Sequence, residues 1–563
     1  MSNAVLIFTF SPIQSFITEA RRASDLYVGS HILVCLAKAA AAVMQQQGTL
    51  IYPATLGADL ADDVPNKLVA RVAWEEAETI AEKAKKALLS EWMRVADTAK
   101  NDLMRKNPLP DALWHDIWAR QTARLWEIYW AAAKDEGSYK AAYEEASRAL
   151  DAAKHTRGFE ASEEEGVKDT LSGSREALHT ARVSAMDYWA EIDKQLGASR
   201  LRPGGRERLD TIGAVKRFCE ITEKSRFPSI STVASADFLR RAQGQLTNYR
   251  EIITRNPHLH RVQEDPDWPY DGDLLFMDTL TARRLENSYG PSAVNDEWLE
   301  EARKALGTLY DTVKPRPSPY YAIIALDGDS MGERVSKCTE EKDHQELSRT
   351  LSKFARQVRP IIDSHDGNLI YNGGDDVLAL APLSTAFTLT QSLARTFAEI
   401  THGTASAGVA IAHHLYPLDA ALQAARRAEK QAKQVKGKNA VCARVLKRSG
   451  ETVEMRSPWE AVGETFADVL RLFQGDAQGE PLSSKCAYDV LRVAYALPDA
   501  DDKCRAELKR LLMRHRSGKH PQAPQPDEWA DRLRAWAANL PGKFEELGQW
   551  LVFARFVAQG GSE

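Results

Sequence analysis

The sequence is short of cysteine. Six are scattered over 563 residues, at Cys35, Cys219, Cys338, Cys442, Cys486 and Cys504, and none forms a C-x-x-C pair. That spacing offers no Cys-rich zinc cluster and fits a reducing compartment, so the expected location is cytoplasmic. An excess of charge of one sign is also missing. Lys plus Arg number 74 against 79 Asp plus Glu, a formal net charge of −5. This excludes a generically basic nucleic-acid coat and leaves only local patches. No uninterrupted apolar run reaches the roughly 18 residues of a membrane span, so no membrane partner is expected. The first residues, MSNAVLIFTFSPIQSF, lack a basic n-region and a small-residue cleavage site, and read as a strand rather than a secretory signal.

The remaining composition is that of a globular protein, 44% hydrophobic and 27% charged. The length suggests about three to five domains. Residues 4–10 form a β-rich apolar run, and a helical stretch covers about 30–47. TLIYPA (49–54) and NKLVARVAW (66–74) read as strands, the start of an α+β layer. From about 75 to 195 the chain is charged, Ala-rich and helical in pattern. Seven of the 13 Trp lie from Trp74 to Trp189, with Trp114/Trp118 and Trp126/Trp130 spaced as i,i+4 pairs on a helix face, which predicts core positions. Between Arg200 and Arg226 eight Lys or Arg face four acids, and between Lys503 and Lys519 seven face one. Each stretch is a candidate for RNA or subunit contact, or a solvated helix face.

Residues 320–446 carry the clearest pattern: strand YYAIIAL, helix at about 340–363, a hairpin of NLIY and VLALA, helix at about 385–401, strand TASAGVAIAH, helix, and a last strand NAVCARVL. A βαββαβ core of this kind is ferredoxin-like. Two acidic motifs fall within it. Asp327-Gly328-Asp329 ends the first strand, and Gly373-Gly374-Asp375-Asp376 lies in the hairpin turn. In such a sheet these strands are neighbours, so carboxylates about 48 residues apart converge. Convergent carboxylates raise one another's pKa unless a cation lies between them. Mg²⁺ takes one or two carboxylates plus phosphate oxygens, and two such ions suit displacement of pyrophosphate. The glycine pair supplies the turn and lets the backbone approach a nucleotide. Ser330-Met331-Gly332 extends the first motif into a turn whose N–H groups suit a triphosphate. Lys433 lies on the helix before the last strand, on the same side in this topology.

Several ordered segments resemble a known family. SPIQSFITEARRASDLYVGS (11–30), VPNKLVA (64–70), RERLDTIGAVKRF (206–218), FPSISTVA (227–234), DGDSMG (327–332), YNGGDD (371–376), SAGVAIAHHLYPL (406–418) and AKQVKGKN (432–439) are similar to the large, Cas-ten subunit of type III CRISPR effector complexes, in its Cmr-type, subtype III-B branch.

The resemblance implies an α+β fold in which two ferredoxin-like palm domains are interleaved with two helical domains. The first, non-catalytic palm would span 1–200, with a helical Trp-rich insertion at about 75–195. A helical domain would follow at 201–315, the catalytic GGDD palm at 316–451 and a C-terminal helical domain at 452–563. It implies an oligoadenylate cyclase switched on by target RNA and assembled with small subunits, a guide-RNA-capping subunit, guide RNA and target RNA. Asp375 and Asp376 would be catalytic, and these with Asp327 and Asp329 would hold Mg²⁺ or Mn²⁺. Gly328, Ser330, Met331, Gly332, Gly373, Gly374 and Lys433 would bind ATP. Ser30 would lie near the phosphates of a second ATP in the first palm, whose Asp62-Asp63 lacks the glycines.

The sequence departs from many family members in showing no room for an N-terminal HD nuclease, and His115-Asp116 and His365-Asp366 are isolated pairs. No DNA cleavage is expected. S-adenosylmethionine as a second substrate, a GTP-using GGDEF-type cyclase, and a scaffold subunit with a silent palm remain the alternative readings.

Overall fold

The computed structural model describes residues 2–54, 64–106, 110–156, 164–196, 201–219, 227–262, 265–476, 478–496 and 501–561. It is an α+β protein with two sheets. Asp62 and Asp63 lie outside the described residues.

The first sheet holds β1 (Asn3–Ser11), β2 (Thr49–Tyr52), β3 (Lys67–Ala73) and β4 (Glu127–Lys134), in the order β2-β3-β1-β4 with every pair antiparallel. The run AVLIFTF is apolar throughout because β1 is covered on both faces. Ala4, Leu6, Phe8 and Phe10 share a core with the helices Ala23–Gln47 and Ala77–Lys106. Val5 and Ile7 face Ala142, Ala146 and Leu150 of the helix Tyr139–His155. The period of two is thus present but hidden, since both sets of side chains are buried.

The helix Ala23–Gln47 is long and apolar enough to cross a membrane, by length and composition, but 61% of its most apolar window is buried inside the protein. Its apolar surface belongs to the core.

The segment about 75–195 is not all helical. Trp130 lies in β4, directly opposite Phe8 of β1, rather than on a helix with Trp126. Trp126 meets Phe10 edge-on at 5.7 Å and Trp92 at 5.5 Å. The Ile-Tyr-Trp run favours a strand, and pairing with β1 outweighs the helix propensity of the alanines around it. Trp114 and Trp118 do share a helix, Ala112–Ala123, stacked at 5.2 Å and buried.

The second sheet holds β5 (Tyr320–Gly328), β6 (Asn368–Asn372), β7 (Asp376–Pro382), β8 (Ala405–His413), β9 (Ala440–Leu446) and β10 (Thr452–Pro458), in the order β10-β9-β8-β5-β7-β6. Only β8 and β9 run parallel, joined through the helix Leu418–Ala432. The sheet does not end near residue 451. β10 pairs with β9 across a turn at 447–451, and a helix begins only at Trp459. Only Met455 and Ser457 of β10 are buried, so this edge strand has almost no hydrophobic signature.

Alternate residues of β5 serve two cores. Tyr320, Ala322, Ile324 and Leu326 pack with the helices Glu341–Asp363 and Leu383–Thr401 and with the C-terminal helices, while Tyr321, Ile323 and Ala325 join the core of the first sheet. The two units therefore share apolar packing. A fully buried Leu or Phe contributes roughly 1.5–3 kcal/mol at such positions. A third core, from Phe238 to Val313, occupies the helical region between the sheets in sequence.

Candidate active site

The acidic motifs meet at one end of the second sheet. Asp327 near the end of β5 is the direct antiparallel partner of Asp376 at the start of β7, and on its other side faces Ser406 of β8. The Gly328 N–H donates to the Asp375 carbonyl at 3.0 Å, tying the strand end to the hairpin turn. A Cβ on Gly328 would lie 2.8 Å from Phe397, so only glycine fits. In the turn, Gly374 has φ +98°, which favours glycine. Asn372 braces the turn, accepting from the Gly374 N–H at 3.3 Å and donating to the Ala355 carbonyl at 2.9 Å. The Gly373 N–H donates to the Asp376 carbonyl at 2.8 Å.

The electrostatics follow from this crowding. Burial, together with Asp375 and Glu429, pushes the Asp376 carboxyl up to about 7 against the opposing pull of Arg426. Burial also raises Asp375. Asp327 is ion-paired with Lys433, whose ammonium is 3.2 Å from Glu429 as well. Burial lowers the Lys433 pKa, with Lys438 adding to the effect. Raised carboxyl pKa values at one place mark where a cation is favoured. Asp327, Asp375 and Asp376 offer the oxygen ligands a hard divalent ion takes, although their ligand atoms do not all lie within 4.8 Å of one another.

Asp329 is placed differently. It is 6% exposed and accepts from Thr404 Oγ1 at 2.8 Å, Ser406 Oγ at 2.8 Å and the Asn439 N–H at 2.9 Å. Three donors reach its oxygens, so it fastens β5 to β8 and to the turn before β9. Ser330 has φ 54° and accepts from Lys438 Nζ at 2.9 Å. Met331 and Gly332 open the short helix Met331–Ser336 and border a cavity. Ser30 is buried within the helix Ala23–Gln47 and does not border it.

That cavity, about 580 Å³, lies between the two sheet units. Gly373, Asp375 and Asp376 line one side, and Lys67, Lys140 and Arg148 line the other. Aromatic groups bridge the units. His344 Nδ1 is 2.7 Å from Tyr139 Oη, and its ring stacks on Tyr52 at 5.9 Å and meets Tyr143 edge-on at 5.2 Å. Burial, aided by Lys67, lowers His344 to about 4, so it is neutral at pH 7. Sequence reasoning missed Lys67, Lys140, Tyr143, Arg148 and His344. One signal was available: Lys140, Tyr143, Glu144, Ser147 and Arg148 form a polar stripe at helical spacing.

In the segment 11–30 Arg21 is exposed and Arg22 is half-buried. Asp25 is buried and paired with Arg217 at 2.7 Å; Arg217 also pairs with Glu207 at 3.0 Å, and Arg22 lies 3.8 Å from Glu207. Lys216 is buried and donates to the Phe16 and Glu19 carbonyls. These basic residues of the 200–226 stretch are therefore used inside the protein. Arg200, Glu220 and the rest of 220–226 lie outside the described residues. In the 503–519 stretch, Arg505 and Lys509 pair with Asp527, Arg505 also with Asp531, and Arg510 with Glu507. His115 and Asp116 are exposed on their helix, and Asp366 pairs with Arg240 at 3.0 Å.

Residues 320–442 match the family model described as Cas10/Cmr2, second palm domain, and residues 5–97 match that of CRISPR-associated protein Cmr2, N-terminal. The CRISPR system Cmr subunit Cmr2 of Pyrococcus furiosus is 24% identical over 587 residues, covering 85% of this chain. The chain spans 65% of that relative's length. A chain of the type III-B Cmr-beta complex in its apo state superposes with a TM-score of 0.69 at 12% identity, covering 100% of this chain and 82% of that one. The complex bound to cognate target RNA gives 0.65 at 13% identity, with 100% and 83% covered. At these identities the solved structures share the fold.

Proposed function

We propose that the chain, whose residues 5–97 and 320–442 match the N-terminal and second palm models of the Cmr2 family, belongs to a type III-B CRISPR system and is a nucleotidyltransferase that joins ATP molecules into 3′–5′ linked, usually cyclic, oligoadenylate. It works as the large subunit of an RNA-guided effector complex, with small subunits, a guide-RNA-capping subunit, guide RNA and target RNA as partners. In this reading the palms are two ferredoxin-like units interleaved with helical domains. The first takes in β4 and the second extends through β10.

In the reaction the 3′-hydroxyl oxygen of one ATP bonds to the α-phosphorus of another. The bond from that phosphorus to the α–β bridging oxygen breaks, pyrophosphate leaves, and the hydroxyl proton passes to solvent. Asp327, Asp375 and Asp376 would hold Mg²⁺ or Mn²⁺, which supplies charge neutralisation at the phosphates. The chain supplies positioning, which suffices for phosphoryl transfer without a covalent intermediate. Gly373 and Gly374 keep the turn low, so a base and ribose can lie against it. Ser330, Met331, Gly332 and Lys433 contact the triphosphate of one nucleotide. Lys67, Lys140 and Arg148, across the cavity, attract the phosphates of the other.

The observation that carries this reading is the register of Asp327 against Asp376 beside a cavity whose opposite wall is basic. The test is product analysis of the assembled complex with ATP and divalent metal, with and without target RNA. Oligoadenylate made only with target RNA is expected. A methionine-containing adenylate in the presence of S-adenosylmethionine would replace the second substrate. ATP left intact by a complex that binds target RNA would leave a scaffold.

A further inference from the structure

A second cluster of ligand-type side chains lies at the far end of β8. Ser406 faces Asp327, whereas His413 faces Tyr320. Seven residue steps put the two ends roughly 23 Å apart along the strand. His413 Nε2 is 3.6 Å from Asp278 Oδ2, and His414 Nε2 is 3.9 Å from Asp278 Oδ1. Among the described residues, this is the one group of three His, Cys, Asp or Glu whose ligand atoms all lie within 4.8 Å of one another. Two ligands of a tetrahedral ion, each about 2.1 Å from it, are roughly 3.4 Å apart, close to the two His–Asp separations of 3.6 and 3.9 Å.

The second observation is His414 itself. Its side chain has no exposed surface, and its Nε2 has no hydrogen-bond partner. Nδ1 is 2.9 Å from Ser231 Oγ. With Nδ1–H donating to that hydroxyl, the Nε2 lone pair points toward Asp278, the outer contact that metal-bound imidazoles ordinarily make. The ring is held between Phe276 at 4.3 Å and His413 at 4.7 Å.

We propose that Asp278, His413 and His414 form a binding site for a zinc-class divalent cation, separate from the carboxylate cluster. Two imidazoles and one carboxylate suit Zn²⁺ rather than Mg²⁺, and water completes four-coordination. The ion would clasp the 276–281 turn to the end of β8. Two local interactions oppose it and are given up. The Leu415 N–H donates to His413 Nδ1 at 3.2 Å, and ligation through Nε2 moves the proton to Nδ1. Arg448 Nη1 is 3.6 Å from Asp278 Oδ2, on a side chain 65% exposed that has solvent to swing into.

The full chain, stripped with a chelator and titrated separately with Zn²⁺ and Co²⁺, tests the site. One Zn²⁺ per chain is expected, retained in the double variant Asp375→Ala/Asp376→Ala, and Co²⁺ is expected to give the strong visible absorption of a tetrahedral site. Asp278→Ala, at a partly exposed position, is expected to weaken binding at least tenfold with its melting curve checked. His414→Ala, with its melting curve checked, is expected to abolish it. Arg448→Ala is expected to tighten it. The absence of a stoichiometric ion in the wild-type chain, or equal binding by Asp278→Ala and His414→Ala, would overturn the proposal.

Discussion

Asp327 and Asp376 face each other across β5 and β7 as direct antiparallel partners. Like charges at that spacing oppose pairing, and the protein keeps them there. Lys433 offsets one charge, and a raised pKa lessens the other. Asp376 lines the cavity, and a local cost of this kind is what a site prepared for a cation would carry.

The first prediction concerns pH. Asp376 titrates near 7 in the folded chain against an ordinary 3.8. A carboxyl that holds its proton more tightly when folded stabilises the fold at low pH. That contribution is lost as pH rises from about 4 through about 7. In chelator, the melting temperature of wild type is expected to fall from pH 5 to pH 8 more steeply than that of Asp376→Asn. Mn²⁺ is expected to raise it more at pH 8 than at pH 5. Parallel curves for the two proteins would contradict the assignment.

Asp329 and Asp327 should separate in experiment although they are two residues apart. Asp329→Ala leaves the Thr404, Ser406 and Asn439 donors without their acceptor, at a cost of about 1–3 kcal/mol. It is expected to lower the melting temperature while leaving Mn²⁺ affinity, read by paramagnetic resonance, nearly unchanged. Asp327→Asn is expected to do the reverse.

The basic wall of the cavity predicts a kinetic split. Lys140 and Arg148 line it but lie on the unit opposite the carboxylates. Neutralising both is expected to raise the KM for ATP several-fold, with a smaller effect on kcat and a weaker dependence of KM on salt. An unchanged KM would remove these residues from nucleotide binding.

The Arg217 pairs predict stability rather than RNA affinity. Removing the guanidinium takes away the bidentate partner of buried Asp25 and leaves buried Glu207 with Arg22 at 3.8 Å, and breaking a buried pair costs about 3–5 kcal/mol. Arg217→Ala is expected to lower the melting temperature sharply while leaving the salt slope of guide-RNA binding unchanged in whatever complex still forms.

The second palm was legible because its strands are buried on both faces and bounded by Gly-containing turns. YYAIIAL and the NGG turn announce themselves locally, and the strand order then brings Asp327 to Asp376. β4 and β10 were not legible. Trp130 lies among alanines that favour a helix, and β10 shows one buried hydrophobic residue in seven, Met455. Each is defined by the strand it pairs with. The inward turn of Asp329 was hidden for the same reason, since its three donors come from residues 404, 406 and 439. Lys67, Lys140 and Arg148 lie about 200 or more residues before the carboxylates. Only the packing of one unit on the other makes them part of one cavity, and no local spacing encodes that.

The most direct test of the central claim is mass spectrometry of the nucleotides made by the assembled complex, wild type against Asp375→Ala/Asp376→Ala, with ATP, Mn²⁺ and target RNA. The account predicts 3′–5′ linked oligoadenylate and pyrophosphate from wild type. It predicts at least a roughly hundredfold loss in the variant, with complex assembly and target-RNA binding intact. Equal product from both proteins would contradict the placement of the chemistry at this carboxylate cluster.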